Sequence, residues 1–222
     1  TVFAAVNEND ETVAIKMVCI TNLKQDFMDL LSREVEFCTE NMKQLLQCEN
    51  IIKYEDVFLF NDKGVKIVCF VMELCDHDLN DHPIQDEQEL KGILKQLSNA
   101  INVLHQNNIL HRDIKPDNIM FTKNNVVKLI DFGLCKKIKN LKTLTIVGSP
   151  KYMDKRLIMA KGQLAYGAEC DVYSLGVVIL EVIQLNNIPI EKVQQIQNIA
   201  LSFCHDNVEE RAKLTDLLKI LE

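Results

Sequence analysis

The chain has 222 residues, 47% of them hydrophobic, which is enough to bury a substantial core and sits at the upper end of single-domain size. Its formal net charge of −7 and its lack of a basic cluster argue against a run of phosphate contacts, so no nucleic-acid partner is expected. The longest apolar stretch, Val172 to Ile183, is interrupted by Ser174 and Glu181 and falls short of the roughly 20 apolar residues that span a bilayer, so no membrane insertion is expected.

The opening residues Thr1-Val2-Phe3-Ala4-Ala5 carry no basic segment and no cleavage pattern, and without an initiating Met the chain reads as a piece of a longer one. Eight cysteines are scattered through core-like segments, unlike the dense spacing of a small secreted scaffold. Reduced thiols in a cytoplasmic or nuclear compartment fit this use. Cys75, His77, Asp78 and His82 lie close together, but no Cys-x-x-Cys or His-x-x-x-His pair accompanies them, and a polar surface loop is the expected reading.

In chain order, Val2 to Val6 and Thr12 to Met17 alternate as strands around a polar turn at Asn7 to Glu11, which predicts an antiparallel hairpin. Apolar positions Phe27, Leu30, Leu31, Val35, Cys38 and Met42 recur at helical spacing over Gln25 to Leu46. Strand-like runs follow at Ile51 to Phe60 and Val65 to Met72. The acidic, Asn- and Pro-containing stretch Asp76 to Asp86 reads as a linker, and beyond it helices dominate. Leu90, Ile93, Leu94, Leu97, Ile101 and Leu104 mark one helix face. A short hairpin is expected at Ile119 to Ile130, turning at Lys123-Asn124-Asn125. Asp171 to Val182 is apolar almost all round and should be buried on every side, as a scaffold for two amphipathic closing helices around Val193 to Phe203 and Leu214 to Leu221. There are no internal repeats and no low-complexity tract.

The chemistry lies in motifs whose order and spacing carry more weight than any one of them. Transfer of a γ-phosphoryl group needs a carboxylate to orient and accept the proton of the attacking hydroxyl, a cation near the moving charge, and oxygen ligands for magnesium. Within His111-Arg112-Asp113-Ile114-Lys115-Pro116-Asp117-Asn118, the first two come from Asp113 and Lys115 and a metal ligand from Asn118. Asp131-Phe132-Gly133, after a strand of the hairpin, places a second carboxylate where it can bridge magnesium to phosphates. Upstream, Val13-Ala14-Ile15-Lys16 sets a lysine on a strand and Glu34 lies on the next helix. Alone such a pair is usually solvated surface charge, but ahead of the other motifs it reads as an ion pair that fixes the ammonium over the α- and β-phosphates.

Together these motifs resemble the eukaryotic protein kinases, and the resemblance runs from Val2 to Leu221. It implies an α+β, bilobal fold with a small antiparallel sheet lobe bearing one helix (1–75) and a larger, mainly helical lobe (76–222). It also implies a protein Ser/Thr kinase that uses ATP and Mg2+ and phosphorylates protein substrates in signalling. Met72-Glu73-Leu74-Cys75 is similar to the hinge, with Met72 as gatekeeper and the backbones of Glu73 and Cys75 on the adenine edge. Val2, Ala14 and Met120 would sandwich the purine. Lys115, two residues after Asp113, is similar to the Ser/Thr-specific branch. Cys38, Tyr54, His111 and Phe132 occupy positions that stack between lobes. Gly148 to Met153 resembles the segment that receives the residue after the phosphorylated one, and Thr145 is the expected activating phosphorylation site, with Arg112 as its partner and Thr143 also eligible.

Three departures stand out. The pattern G-x-G-x-x-G-x-V would end at Thr1-Val2, so its glycines would precede residue 1. Asp154-Lys155-Arg156 stands where the family usually has Ala-Pro-Glu, and the interval from Ile183 to Val193 leaves no room for a substrate-docking helix. The family's glutamate at 156 would pair with a late arginine, here Arg211 at the opening of the final helix. Two guanidiniums repel, so Arg156 is expected either to turn to Glu209 or Glu210 or to point into solvent. The alternative to an active enzyme is a non-catalytic, kinase-like module that binds partners or nucleotide.

Overall fold

The computed structural model describes residues 1–41, 45, 47–137, 148–160 and 167–222. Strands β1 (Val2–Val6) and β2 (Thr12–Cys19) form the expected hairpin, and β3 (Tyr54–Asp62) and β4 (Val65–Glu73) form a second. All four pair antiparallel in the order β1-β2-β4-β3. The register sets Ala14 opposite Met72 and Lys16 opposite Phe70. Cross-strand partners share a face and side chains alternate, so Ala14, Lys16 and Met72 project to the same side of the sheet.

Helix α1 (Gln25–Glu36) passes into a π-type turn at Phe37–Asn41, and residues 42–44 and 46 of the predicted helical span lie outside the described residues. A π turn spans more residues than an α turn, so the positions beyond it leave the 3-4 spacing. Phe37, outside the predicted apolar set, is buried at 2% exposure on the same face as Leu31 and Glu34, while Phe27, inside the set, lies in the first turn and is 57% exposed.

After β4 the chain enters a second, mainly helical body. A two-residue strand β5 (His77–Asp78) interrupts the predicted linker, and α2 (Glu87–Gln106) follows, its first turn capped by the Asp86 side chain accepting from Glu89 N–H. All six residues of its predicted face are buried. Strand β6 (Ile109–Leu110), the hairpin β7 (Ile119–Phe121) and β8 (Val127–Leu129), and β9 (Lys136–Lys137) carry the loops of the cleft. β5, β7 and β8 form one small sheet, and β6 with β9 another.

Helices α3 (Lys155–Met159), α4 (Ala168–Leu185), α5 (Ile190–Phe203) and α6 (Leu214–Ile220) complete this body. Helix α4 is buried on most sides, as its all-round apolar pattern requires. A Cβ at Gly176 would lie 2.8 Å from both Ala200 O and Phe203 Cβ, so only glycine lets α4 and α5 approach this closely. Residues 186–189 are all that separates α4 from α5, which agrees with the absence of room for a further helix. Arg211 precedes α6, following a 3₁₀ turn at Val208–Glu210, and does not open the helix itself. One apolar cluster, running from Leu31 and Phe37 through Ile52, Ile114 and Phe132 to α2, α4 and α5, joins the two bodies. The architecture is the expected α+β, two-lobed one. Among the described residues no helix is long and apolar enough to cross a membrane.

Candidate active site

Between the sheet and the helical body lies a cavity of about 270 Å³. Val2, Ala14, Lys16, Glu34, Met72, Glu73, Cys75 and Met120 all line it, together with Asn118 and Asp131. Ile52, Tyr54, Leu74 and Ile130 complete the wall. The sequence marks Tyr54 as a stacking position and Leu74 as part of the hinge-like segment without assigning either to the lining, and Ile52 and Ile130 are apolar residues that nothing local singles out.

The upper wall is organised around Lys16. Its Nζ donates to Glu34 Oε1 at 2.7 Å and Oε2 at 2.9 Å, and it lies 3.6 Å from Asp131 Oδ1. Burial opposes the ammonium charge, but Glu34 and Asp131 more than offset it, so the pKa of Lys16 lies above its ordinary value. Tyr54 Oη reaches Glu34 Oε1 at 3.4 Å, a long contact from a phenol whose own pKa burial pushes well up. The Phe132 ring stacks on Phe37 at 4.0 Å and meets His111 edge-on at 5.2 Å. The stacking partner is thus Phe37, while its neighbour Cys38 is half-buried against the same cluster and its thiol is pushed up by burial.

The lower wall comes from the loop between β6 and β7. Asp113 accepts from Asn118 Nδ2 at 3.0 Å, from Ser149 N–H and Oγ–H at 2.9 Å each, and pairs with Lys115 Nζ at 2.9 Å. Burial raises the Asp113 pKa, but hydrogen bonds from Lys115 and Ser149 outweigh it, and the carboxyl is held below its ordinary value. Ionised at neutral pH, it can receive and orient a hydroxyl proton. The loop is itself pinned by Asp171 at the start of α4, which accepts from the backbone N–H of His111 at 2.9 Å and of Arg112 at 2.8 Å and bonds His105 at 2.8 Å. Arg112 and Asp131 both hold positive φ, 71° and 62°, a conformation that non-glycine residues keep only where their surroundings impose it.

Asn118 spends its Nδ2 on Asp113, which leaves its amide oxygen for a cation, and its backbone C=O accepts from Ile130 N–H at 3.0 Å, next to Asp131. An amide oxygen and a carboxylate are the hard donors that magnesium takes, with phosphate and water completing the shell, so the residues present fit that ion. Among the described residues there is no cluster of three or more His, Cys, Asp or Glu side chains fit to hold a metal. His77 Nε2 and His82 Nδ1 instead hydrogen-bond each other at 2.8 Å, with His82 stacked on Phe121.

Ser149 was missed as a partner of Asp113; its only sequence signal is its place after Gly148. That glycine has φ of 113°, and a Cβ there would lie 2.5 Å from Arg112 O. Glycine is what allows this segment to lie against the loop that carries Asp113. Thr143 and Thr145 lie outside the described residues.

The expected repair through Glu209 or Glu210 is not what the structure shows. Asp154, with its side chain fully buried, receives Arg156 Nη2 at 2.6 Å and Arg211 Nη1 at 2.7 Å, and its Oδ1 accepts from Arg156 N–H at 3.0 Å. Two guanidiniums share one carboxylate, so their charges do not meet uncompensated. The carboxylate has moved two residues upstream, and because Asp154 caps α3, the reach that Glu209 and Glu210 would need never arises. Arg211 also bonds His205 O at 2.6 Å and lies over the Tyr173 ring. Burial raises the Asp154 pKa, but the arginine hydrogen bonds prevail and hold it below the ordinary value. Tyr152 adds ties to α4 through Glu181 and Ser174.

With this geometry in view, the family of protein kinase domains matches residues 1–218. Serine/threonine-protein kinase PAK 4 of Homo sapiens is 28% identical over 202 residues, 88% of this chain and 32% of that protein. Serine/threonine-protein kinase PAK 1 of Mus musculus is 31% identical over 188 residues, 83% and 32% of the two chains. Serine/threonine-protein kinase PAK mbt of Drosophila melanogaster is 27% identical over 199 residues, 82% and 31%. The chain spans about a third of the length of the curated relatives it matches.

Proposed function

The chain belongs to the protein kinase domain family, and from that premise we propose that it transfers the γ-phosphoryl group of ATP to Ser or Thr hydroxyls of protein substrates. The observation that carries this reading is that one cleft has Lys16 paired with Glu34 beside Asp131 on its upper side, and Asp113, Lys115 and Asn118 on its lower side. The domain extends over 1–222, with lobes at 1–75 and 76–222, and works in the cytoplasm or nucleus.

The adenine lies between Val2 and Ala14 above and Met120 below, its edge on the backbones of Glu73 and Cys75, with Met72 at the back. Lys16, held by Glu34, neutralises the α- and β-phosphates. Asp113 orients the substrate hydroxyl and takes its proton, while Lys115 steadies the charge on the transferred group. Asn118 and Asp131 would hold Mg2+, which would supply charge neutralisation to the phosphates. Positioning and electrostatics supply the catalysis, since phosphoryl transfer asks little covalent chemistry of the protein.

The non-catalytic alternative draws on Arg156 and on the short link between α4 and α5. The buried Asp154 weakens the first ground, because it ties 148–154 to Arg211 in place of the family's glutamate. The test is transfer from labelled ATP to a general protein substrate by the extended protein and by its Asp131→Ala variant. A loss of about 100-fold or more in the variant is expected; equal signals would end the kinase reading.

A further inference from the structure

We propose that Glu73 and Lys128 are positioning residues: an ion pair behind the cavity that holds its adenine end and its metal-binding end in register. The proposal rests on the kinase reading for what occupies the cavity.

Glu73 closes β4, and its carboxylate turns to two partners at once. Oε2 meets Lys128 Nζ at 2.8 Å, and Oε1 accepts from Lys53 N–H at 2.7 Å. The pairing with Lys53 is returned through the backbone, where Glu73 N–H donates to Lys53 O at 3.0 Å. Lys128 is the middle residue of β8, and its side chain is 9% exposed. The stretch before Lys53 is itself zipped to β8, with Ile52 N–H donating to Leu129 O at 3.0 Å and Leu129 N–H to Asn50 O at 2.9 Å. Glu73 is thus where β4 joins a structure built from the second body.

Each end of this clamp sits beside a ligand-facing group. Cys75 follows Glu73 by two positions, and Asp131 follows Lys128 by three. Met120, on the cavity floor, is the cross-strand partner of Lys128. A shift of β8 relative to β4 would therefore change the distance between the adenine edge and Asp131. An ion pair in this position adds little stability that apolar packing would not match, but it is directional and fixes one separation. Nucleotide binding to a cleft already held at that separation forgoes the ordering that a loose one would require.

The test measures the affinity of magnesium ATP by calorimetry, and amide hydrogen exchange without nucleotide, in the extended wild-type protein and in its Lys128→Met, Lys128→Arg and Glu73→Gln variants, each at the same interval below its own Tm. Lys128→Met is expected to weaken binding about tenfold and to speed exchange in 50–54 and in β8 together. Lys128→Arg, which keeps the charge and reach, is expected to recover most of the affinity. Unchanged affinity and exchange in Lys128→Met, or no recovery in Lys128→Arg, would overturn the proposal. If Lys128→Met does not fold, Glu73→Gln, which keeps the shape and removes the charge, carries the same comparison. If the extended wild-type protein binds no magnesium ATP, the kinase reading alone fails, and the exchange comparison still decides the clamp.

Discussion

The two walls of the cleft each centre on a lysine–carboxylate pair, Lys16–Glu34 above and Lys115–Asp113 below, but are built differently. The lower wall comes from eight consecutive residues, His111 to Asn118, and is braced from outside by Asp171 and Ser149, so that Asp113 has bonds from three other residues. The upper wall joins a strand and a helix across 18 residues of sequence, and on the helix side the Lys16–Glu34 pair is backed only by a long contact from Tyr54, while Asp131 and the Phe70 ring support Lys16. Of the residues of α1, only Leu31 and Glu34 are buried. A wall made from one loop is rigid once the loop is pinned, whereas a wall that depends on a lightly docked helix holds its geometry only while the ion pair lasts. The lower wall is therefore the more firmly braced half of the site, and the upper one the half whose geometry depends on a single ion pair.

The sharpest way to break this contrast is at the lower wall. Asp113→Asn keeps the shape but removes the proton acceptor, and kcat should fall about 10²- to 10⁴-fold, with a smaller loss of melting temperature as the charge-assisted bonds from Lys115 and Ser149 weaken. A fall of less than tenfold would mean that Asp113 does not serve as the base. Next in size is the anchor beside it. Asp154→Ala leaves Arg156 and Arg211 facing each other in a buried place, and chemical denaturation should show a loss of about 3–5 kcal/mol. If Arg156→Glu is added to Asp154→Ala, a carboxylate returns to the neighbourhood of Arg211, and part of that loss should be recovered.

The same carboxylates set an acid limit. Asp113, Asp154 and Asp171 all have folded pKa values below the ordinary 3.8 of an aspartate, so each contributes stability that is fully present above that value. That contribution disappears as pH falls through the folded pKa values, because the unfolded chain binds protons first. Denaturation between pH 3 and pH 6 should show stability dropping steeply at the acid end, and Asp154→Asn should flatten the drop. A variant curve parallel to the wild type would remove Asp154 from this account.

At the upper wall the effects should be smaller. Glu34→Gln leaves Lys16 with Asp131 alone and should reduce kcat/KM for ATP about tenfold, while hydrogen exchange quickens along α1 and leaves 111–118 unaffected. Exchange that rises equally in both walls would erase the distinction drawn between them. Tyr54→Phe, which removes one long hydrogen bond, should cost no more than about 1 kcal/mol of stability.

Much of the site was legible because its chemistry is local. The order Lys16, Glu34, Asp113, Asn118, Asp131 reads directly from spacing, and so do the strands of the sheet and the buried faces of α2, α4 and α5. These depend on periodicity and on residue types that phosphoryl transfer requires, both written in consecutive residues. What the tertiary structure decided are pairings between distant segments that several residues could have supplied. Asp154, and neither Glu209 nor Glu210, takes the two arginines, because it sits at the buried start of α3 where both can reach it. Phe37 stacks on Phe132 across 95 residues of sequence, a pairing that helical spacing alone does not single out. Ser149 holds Asp113 across 36 residues, and Glu73 meets Lys128 only after the chain has folded back on itself. A sequence determines which groups are available, but the partner of a buried charge is chosen by distance and desolvation, and those exist only in the folded chain.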